Sequence, residues 1–97
     1  MSTLFILSHA PHANPRQGGT IGLARQGDGV LLIEDGAYAA TSIAHPLQPA
    51  LLAARERGVE LYALQPDLEA RGITTDLPTV DYTGFVDMIE RFERSVH

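Results

Sequence analysis

The chain has 97 residues, a length that predicts one domain over residues 1–97. Its apolar fraction is 44%, and its longest apolar runs are far too short to cross a bilayer. Twelve acidic against seven basic side chains give a net charge of −5, and the absence of lysine argues against a basic surface for nucleic acid. The sequence contains no cysteine, which excludes disulfides, thiolate metal sites and cysteine nucleophiles in this chain.

The first third of the chain predicts a strand, a loop and a short helix. Thr3–Leu7 is an apolar run typical of a buried strand, and a loop containing His9 and His12 follows it. Pro15 suits the first turn of a helix, although several glycines weaken that helix. The apolar face of this helix is predicted to consist of Ile21, Leu23 and Ala24.

The central segment predicts a second strand and two helical pieces. Val30–Ile33 is a continuous apolar run, as expected for a strand covered on both faces, and Glu34-Asp35-Gly36 ends it. Ala37–Ile43 is predicted to be a short helix that stops near His45-Pro46. Gln48–Arg57 is predicted to be a helix that Gly58 ends, with Leu51, Leu52 and Arg55 spaced for an amphipathic face.

The last third predicts two strands and two more helices. Val59–Leu64 is the third strand, and Pro66–Arg71 is a helical turn closed by Gly72. Thr79-Val80 is a brief fourth strand. A final helix is capped by Asp81 or Thr83. Its apolar residues fall at helical spacing, namely Phe85, Met88, Ile89 and Phe92, and its solvated face consists of Glu90, Arg91, Glu93 and Arg94. This alternation predicts an α/β fold with a parallel sheet of four to five strands and helices on both faces.

Three histidines are the candidates for a metal site or a general base, because a neutral imidazole is a common ligand and titrates near neutrality. His9 and His12 follow the first strand, where open α/β sheets bind ligands, and His45 lies in a later loop. The loop offers no helical register to aim His9 and His12 at one ion, so a solvated loop is the competing interpretation. A homo-oligomeric binding module is a further alternative.

The Glu34-Asp35-Gly36 turn is the other candidate site, because it lies at the carboxyl end of a strand, where such sheets present ligand or partner surfaces. Adjacent carboxylates point in different directions, which is unfavourable for general acid and base catalysis. The turn is therefore interpreted either as a partner contact or as a strand terminator whose acids favour the start of a helix.

Three blocks resemble the DsrH/TusB family in their order and spacing. Leu31–Ala40 resembles the family's central motif, in which an apolar strand runs into Glu-Asp-Gly and a small-residue helix. Leu61–Leu64 with Asp67–Gly72 resembles its third strand and following turn, and Val80–Asp87 resembles its last strand and helix. The resemblance implies a small flavodoxin-like (DsrEFH-like) domain that acts as one of three related subunits in a heterohexameric sulfur-transfer complex.

The resemblance also implies the partners and the pathway. The expected partners are DsrE/TusD-like and DsrF/TusC-like subunits, which serve 2-thiouridine formation in tRNA or cytoplasmic sulfur oxidation. Where the DsrH branch can carry a cysteine, this chain has Thr20, and it lacks the tryptophan often found near the family's end. We therefore expect a cytoplasmic, cofactor-free, non-catalytic subunit with no membrane or nucleic-acid contact of its own. The residues expected to face its partners are Glu34, Asp35, Gly36 and Tyr38.

Overall fold

The computed structural model describes residues 2–14 and 16–97, which form a five-stranded parallel sheet in the order β4-β3-β2-β1-β5. The strands are β1 (Thr3–Leu7), β2 (Gly29–Leu32), β3 (Glu60–Leu64), β4 (Thr79–Val80) and β5 (Arg94–Val96). Pro15, predicted to begin the first helix, lies outside the described residues. The prediction of an α/β fold with a parallel sheet is confirmed.

Helices cover both faces of this sheet. They are α1 (Gln17–Gly22), a 3-10 helix (Glu34–Ala40), α2 (Gln48–Glu56), α3 (Gln65–Arg71) and α4 (Tyr82–Arg91). From β1 to β4 the chain always moves to the next strand in one direction, so right-handed connections place every helix before β4 on one face. The connection from β4 to β5 crosses in the opposite direction, which places α4 on the other face. No helix among the described residues has the length and apolar content needed to span a bilayer.

The two central strands are buried on both sides and feed two separate cores. Alternate side chains such as Phe5 and Val30 pack with α1, α2 and α3, whereas Leu4 and Leu31 pack with Met88 and Phe92 from the α4 side. This arrangement explains why the β2 sequence is a continuous apolar run, because both of its faces meet protein.

Two predicted helix ends are confirmed by their cap geometry. The backbone N–H of Gly84 donates to the Asp81 side chain at 2.8 Å, which makes Asp81 the N-cap of α4. Gly72 ends α3 with a φ of 64°, in the left-handed region that favours glycine. These ends follow from local chemistry and need no distant contact.

The predicted packing faces of α1 and α2 are partly wrong. Leu23 is 65% exposed because Ile21 and Ala24, three residues apart, take the buried side, and Leu23 lies on another side of this helical turn. On α2, Leu51 and Ala54 are three residues apart and both lie on the buried side. Leu52 is the next residue along the helix, so it points to a different side and is 55% exposed. Arg55, which shares the predicted amphipathic face with Leu51 and Leu52, is exposed.

Two element boundaries also differ from the prediction. The helix predicted over Ala37–Ile43 is a 3-10 helix over Glu34–Ala40, which ends where Thr41 adopts an extended conformation. The tail after α4 was predicted to continue as a solvated helical face, but Phe92 becomes extended and Arg94–Val96 forms β5 beside β1. The second difference involves a tertiary contact, since Phe92 is buried under the sheet and the chain then returns to pair with β1.

A close approach at the carboxyl end of β1 fixes where the 3-10 helix begins. The backbone N–H of Ile33 donates to the carbonyl oxygen of Leu7 at 3.0 Å, and the N–H of Gly36 donates to the carbonyl oxygen of Ile33 at 2.8 Å. Gly36 is buried directly against Leu7, so a Cβ atom at residue 36 would overlap the Leu7 carbonyl. Only glycine allows the turn to sit this close to β1.

Gly36→Ala is therefore expected to lower the free energy of unfolding by about 2–4 kcal/mol, because backbone must move to admit the new methyl group. Urea denaturation followed by circular dichroism measures the change. Gly19→Ala is the control, since a Cβ at residue 19 meets nothing within 4 Å and alanine favours a helix. Equal stability of the Gly36→Ala and Gly19→Ala variants would contradict this account of the turn.

Candidate functional site

The turn after β2 brings three of the four predicted partner-facing residues to the surface. The side chains of Glu34 and Asp35 are exposed, and Tyr38 on the next turn is 44% exposed. Gly36 is buried beneath them. Gly36 thus shapes this surface from below, and the side chains available to a partner are those of the other three residues.

Glu34 has an unusual backbone conformation. Its φ of 51° makes it the one non-glycine residue with a positive φ in the described part of the chain. Its backbone N–H donates to Oδ2 of Asp67, at the start of α3, over 2.6 Å. A residue other than glycine adopts this region at a cost and is held there by its surroundings. Asp67, in the first turn of α3, supplies that restraint through its hydrogen bond to the Glu34 backbone.

Arg71 on α3 joins the same turn from the side. Its guanidinium donates from Nη2 and Nε to Oδ1 of Asp35 over 2.9 and 3.1 Å, and from Nη1 to the backbone carbonyl of Asp67 over 3.2 Å. It also lies 5.9 Å from the centre of the Tyr38 ring. The hydrogen bond to Asp35 raises the pKa of the Arg71 guanidinium, so this cation is permanent.

The sequence analysis did not assign Asp67 and Arg71 to the site, although a signal for both was present. They follow β3, which pairs in parallel with β2, so the residues after each strand meet at the same edge of the sheet. Their spacing of four on a helix also places an acid and a base side by side, at 3.8 Å between Arg71 Nη1 and Asp67 Oδ1. Strand order was the missing information.

A cavity of about 580 Å³ opens beside Tyr38. Its walls come from the loop after β1, from the segment after the 3-10 helix and from the end of α3, and include Pro11, His12, Tyr38, Ile43 and Ile73. Arg71 contacts Tyr38 and Asp35, so the cavity and the acidic turn form one continuous surface. The surface offers aromatic, apolar and acidic groups at the carboxyl ends of β1, β2 and β3.

The three candidate histidines do not act as one group in this fold. His45 has both ring nitrogens occupied: Nε2 lies 3.0 Å from the carbonyl oxygen of Ala39, and Nδ1 accepts the N–H of Leu47 at 3.2 Å. His9 and His12 have exposed side chains in the loop after β1. Residues 2–14 and 16–97 contain no group of three or more His, Cys, Asp or Glu side chains placed to hold a metal ion.

Burial lowers the pKa of His45, the carbonyl of Ala39 opposes this effect, and nearby His12 adds to it. The two hydrogen bonds identify the neutral tautomer with its proton on Nε2. His45 therefore holds the segment after the 3-10 helix in place. A metal at this imidazole would displace one of those bonds.

Because the folded-state pKa of His45 is lowered, its neutral form is preferred by the folded protein. We expect full stability above the ordinary histidine pKa of about 6.5, and a loss as pH falls below it, since the unfolded chain then takes up a proton more readily. Urea titrations between pH 8 and 5 should show a steeper decline for the wild type than for His45→Gln. His9→Gln, which removes an exposed imidazole, should retain the wild-type decline, and identical profiles for wild type and His45→Gln would refute the assignment.

Replacing Glu34 tests its backbone strain. Glu34→Gly is expected to raise the free energy of unfolding by about 0.5–1 kcal/mol, because glycine adopts a positive φ without a Cβ clash. Glu34→Ala, which keeps the Cβ atom and removes only the carboxylate, should lack this gain. Chemical denaturation of both variants provides the measurement, and a Glu34→Gly protein no more stable than Glu34→Ala would argue against strain at this residue.

Comparison with known proteins agrees with the fold and the motif blocks. The profile of the family described as DsrH like protein matches residues 9–95. Protein TusB from Erwinia tasmaniensis is 39% identical over 69 residues, covering 70% of this chain and 68% of the relative. Protein TusB from Serratia proteamaculans is 37% identical over 73 residues, covering 71% of this chain and 73% of the relative.

A solved structure matches over an even larger part of the chain. The solution NMR structure of protein Tm0979 from Thermotoga maritima superposes with a TM-score of 0.67 and covers 92% of each chain at 23% sequence identity. At this identity the likeness concerns the fold alone. The family profile and the TusB relatives establish membership: the chain belongs to the DsrH-like protein family.

Proposed function

We propose that this protein is a non-catalytic subunit of a sulfur-transfer complex whose active cysteine belongs to another chain. The observation that carries the proposal is the absence of cysteine from a member of the DsrH-like family. Sulfane sulfur is carried by attack of a thiolate and released by exchange with another, and this chain has no group that can do either. Its contribution is then a binding surface.

Thr20 supports the proposal that another chain carries the sulfur. Spacing from the Glu34 turn aligns it with the position where the DsrH branch can carry a cysteine, and here it lies half-buried on α1. A hydroxyl at this position cannot hold a sulfane sulfur reversibly, because an alkoxide does not form near neutral pH and does not exchange as a thiolate does. In this protein α1 packs Ile21 into the core and carries no sulfur.

The surface we assign to partner contact consists of Glu34, Asp35 and Tyr38, supported from below by Gly36. Asp67 and Arg71 hold it in place before any partner arrives, through the bonds to the Glu34 N–H and the Asp35 carboxylate. A preformed surface loses little conformational entropy on binding. The neighbouring cavity beside Tyr38 is large enough to receive apolar side chains of another subunit.

The partners proposed are the related DsrE/TusD-like and DsrF/TusC-like subunits, in a heterohexamer that works in the cytoplasm. The complex serves tRNA thiolation or sulfur oxidation, and the identity of the acceptor is decided by the cysteine-bearing subunits. With a net charge of −5, this chain would repel a phosphate backbone, so an RNA acceptor is held by a partner.

The proposed partner-contact surface can be tested by measuring assembly of the complex. When co-expressed with the related subunits of its own genome, the wild type should co-purify with them, and the double variant Glu34→Ala with Asp35→Ala should weaken that association about tenfold or more. Glu56→Ala, which removes an exposed carboxylate from the end of α2, is the matched control and should leave assembly unchanged. Unchanged assembly and sulfur transfer in the double variant would remove these residues from the interface.

Transfer of radiolabelled sulfur tests the chemistry. The isolated chain, incubated with a persulfide donor and then an acceptor thiol, should retain and pass on no label. The complete complex should pass label on through a cysteine of a partner. Transfer by the isolated chain would overturn the proposal that it is non-catalytic.

A further inference from the structure

A buried glutamine at the start of α1 holds the loop that follows β1. Gln17 is the first residue of α1, and its side chain is 4% exposed. Its Nε2 donates to the backbone carbonyl oxygen of His9 over 3.0 Å, and its Oε1 accepts the backbone N–H of His9 over 3.3 Å. The side-chain amide therefore pairs with both main-chain groups of one loop residue, as a residue of a neighbouring strand would.

This pairing accounts for the burial of a polar side chain. An amide that leaves water costs free energy unless its donor and its acceptor both find partners. Gln17 finds both of its partners in His9. Within residues 2–14 and 16–97, these two bonds are the ones that the His9 main chain makes. Gln17 thus fixes the base of the loop to α1.

The rest of the loop is closed on itself. The N–H groups of Ala13 and Asn14 both donate to the carbonyl oxygen of Ala10, over 3.0 and 3.3 Å. The carbonyl oxygen of Asn14 then accepts the backbone N–H of Gln17 over 3.2 Å. Pro11 has a fixed φ and disfavours the α conformation at Ala10, which leaves this segment few other conformations. A displacement at the base of the loop therefore carries its tip along.

The same loop forms one wall of the cavity beside Tyr38. Ala10, Pro11 and His12 line that cavity, with Pro11 buried and His12 exposed. These three residues directly follow the residue whose backbone Gln17 holds. The shape of the wall that a partner meets therefore depends on where Gln17 holds the loop.

We propose that Gln17 is a positioning residue for partner binding: by fixing the backbone of His9, it sets one wall of the cavity that receives another subunit. Because its side chain is buried, it acts through Pro11 and His12 and not by contact with the partner. This inference rests on the proposed function, since that function assigns the cavity to contact with a related subunit.

The chemistry of the side chain makes this role specific to glutamine. Gln17→Glu keeps the acceptor but loses the donor, and its carboxylate would lie against the carbonyl oxygen of His9. Gln17→Met keeps the length of the side chain and a good helix propensity, but methionine makes neither bond well. Gln17→Met is thus the variant that removes the bonds with little change in packing.

Backbone dynamics of the isolated chain test the hold on the loop without any partner. In the wild type, the ¹⁵N order parameters of His9 and His12 should lie near about 0.85, and in Gln17→Met they should fall to about 0.6 or below. Those of β1 should stay unchanged, which separates a released loop from a disturbed sheet. Gln26→Met makes the same change at an exposed residue before β2 and is the control. A loop as rigid in Gln17→Met as in the wild type would overturn the proposal.

Binding to the DsrE/TusD-like and DsrF/TusC-like subunits tests the consequence of releasing the loop. Dissociation constants are measured under conditions in which circular dichroism shows every variant to be folded. Gln17→Met and Gln17→Glu should each raise the dissociation constant about tenfold or more, because a mobile wall must be ordered on binding. Gln26→Met should bind as the wild type does. Wild-type affinity in Gln17→Met would refute the positioning role and leave the proposed function intact.

His12 provides a readout that a purely structural role of Gln17 would not change. His12→Ala should weaken binding about threefold or more in the wild type and have little further effect in Gln17→Met, since the released loop no longer presents His12. Equal fold-changes in the two backgrounds would show that Gln17 does not act through this loop. A wild type that binds neither related subunit would overturn the proposed function itself, and with it the role of Gln17 in partner binding.

Discussion

The contact between Gly36 and the carbonyl end of β1 is the constraint on which the candidate functional edge of this protein depends. It lets the chain leave β2 and turn directly over Leu7, where any side chain would force the two strands' ends apart. The 3-10 helix then starts at Glu34, and its small residues Ala37, Ala39 and Ala40 pack into the core. The acidic turn, Tyr38 and the neighbouring cavity all take their positions from this contact.

The ion pairs at this edge mainly fix the positions of the residues that they join. Exposed pairs contribute little to the free energy of folding because water screens them, and Asp35 is well exposed. Arg71 nevertheless links the turn after β2 to α3 through several bonds, and Asp67 fixes the Glu34 backbone. Their consequence is a surface whose shape is set before binding. Among the carboxylates of Glu34, Asp35 and Asp67, that of Glu34 makes no hydrogen bond or ion pair within residues 2–14 and 16–97.

Because this chain has no thiol, the role proposed for it in sulfur transfer is to bind the chains or acceptors that carry the sulfur. The edge around Glu34 is the surface assigned to that contact, and the cavity beside Tyr38 adjoins it. In the proposed role, binding would fix the relative placement of the partner chains, and this placement affects transfer rates because reacting groups must approach closely.

The amino-acid sequence by itself determined the chemistry this protein lacks and much of its local structure. The missing cysteine, the apolar run before Glu34, the Asp81 cap and the glycine after Arg71 all act over a few residues, so they could be interpreted without the fold. The Glu-Asp-Gly turn was likewise assigned correctly to a strand end.

The tertiary structure decided which of these local features meet. Periodicity gives the side of a helix that an apolar residue occupies but not what covers that side, and so Leu23 and Leu52 were expected to be buried. Strand order brought Asp67 to Glu34 and Arg71 to Asp35, although each pair is more than thirty residues apart in sequence. The return of the chain to β1 made β5 from a segment whose sequence favours neither strand nor helix strongly. These outcomes depend on long-range packing, which no short stretch of sequence contains.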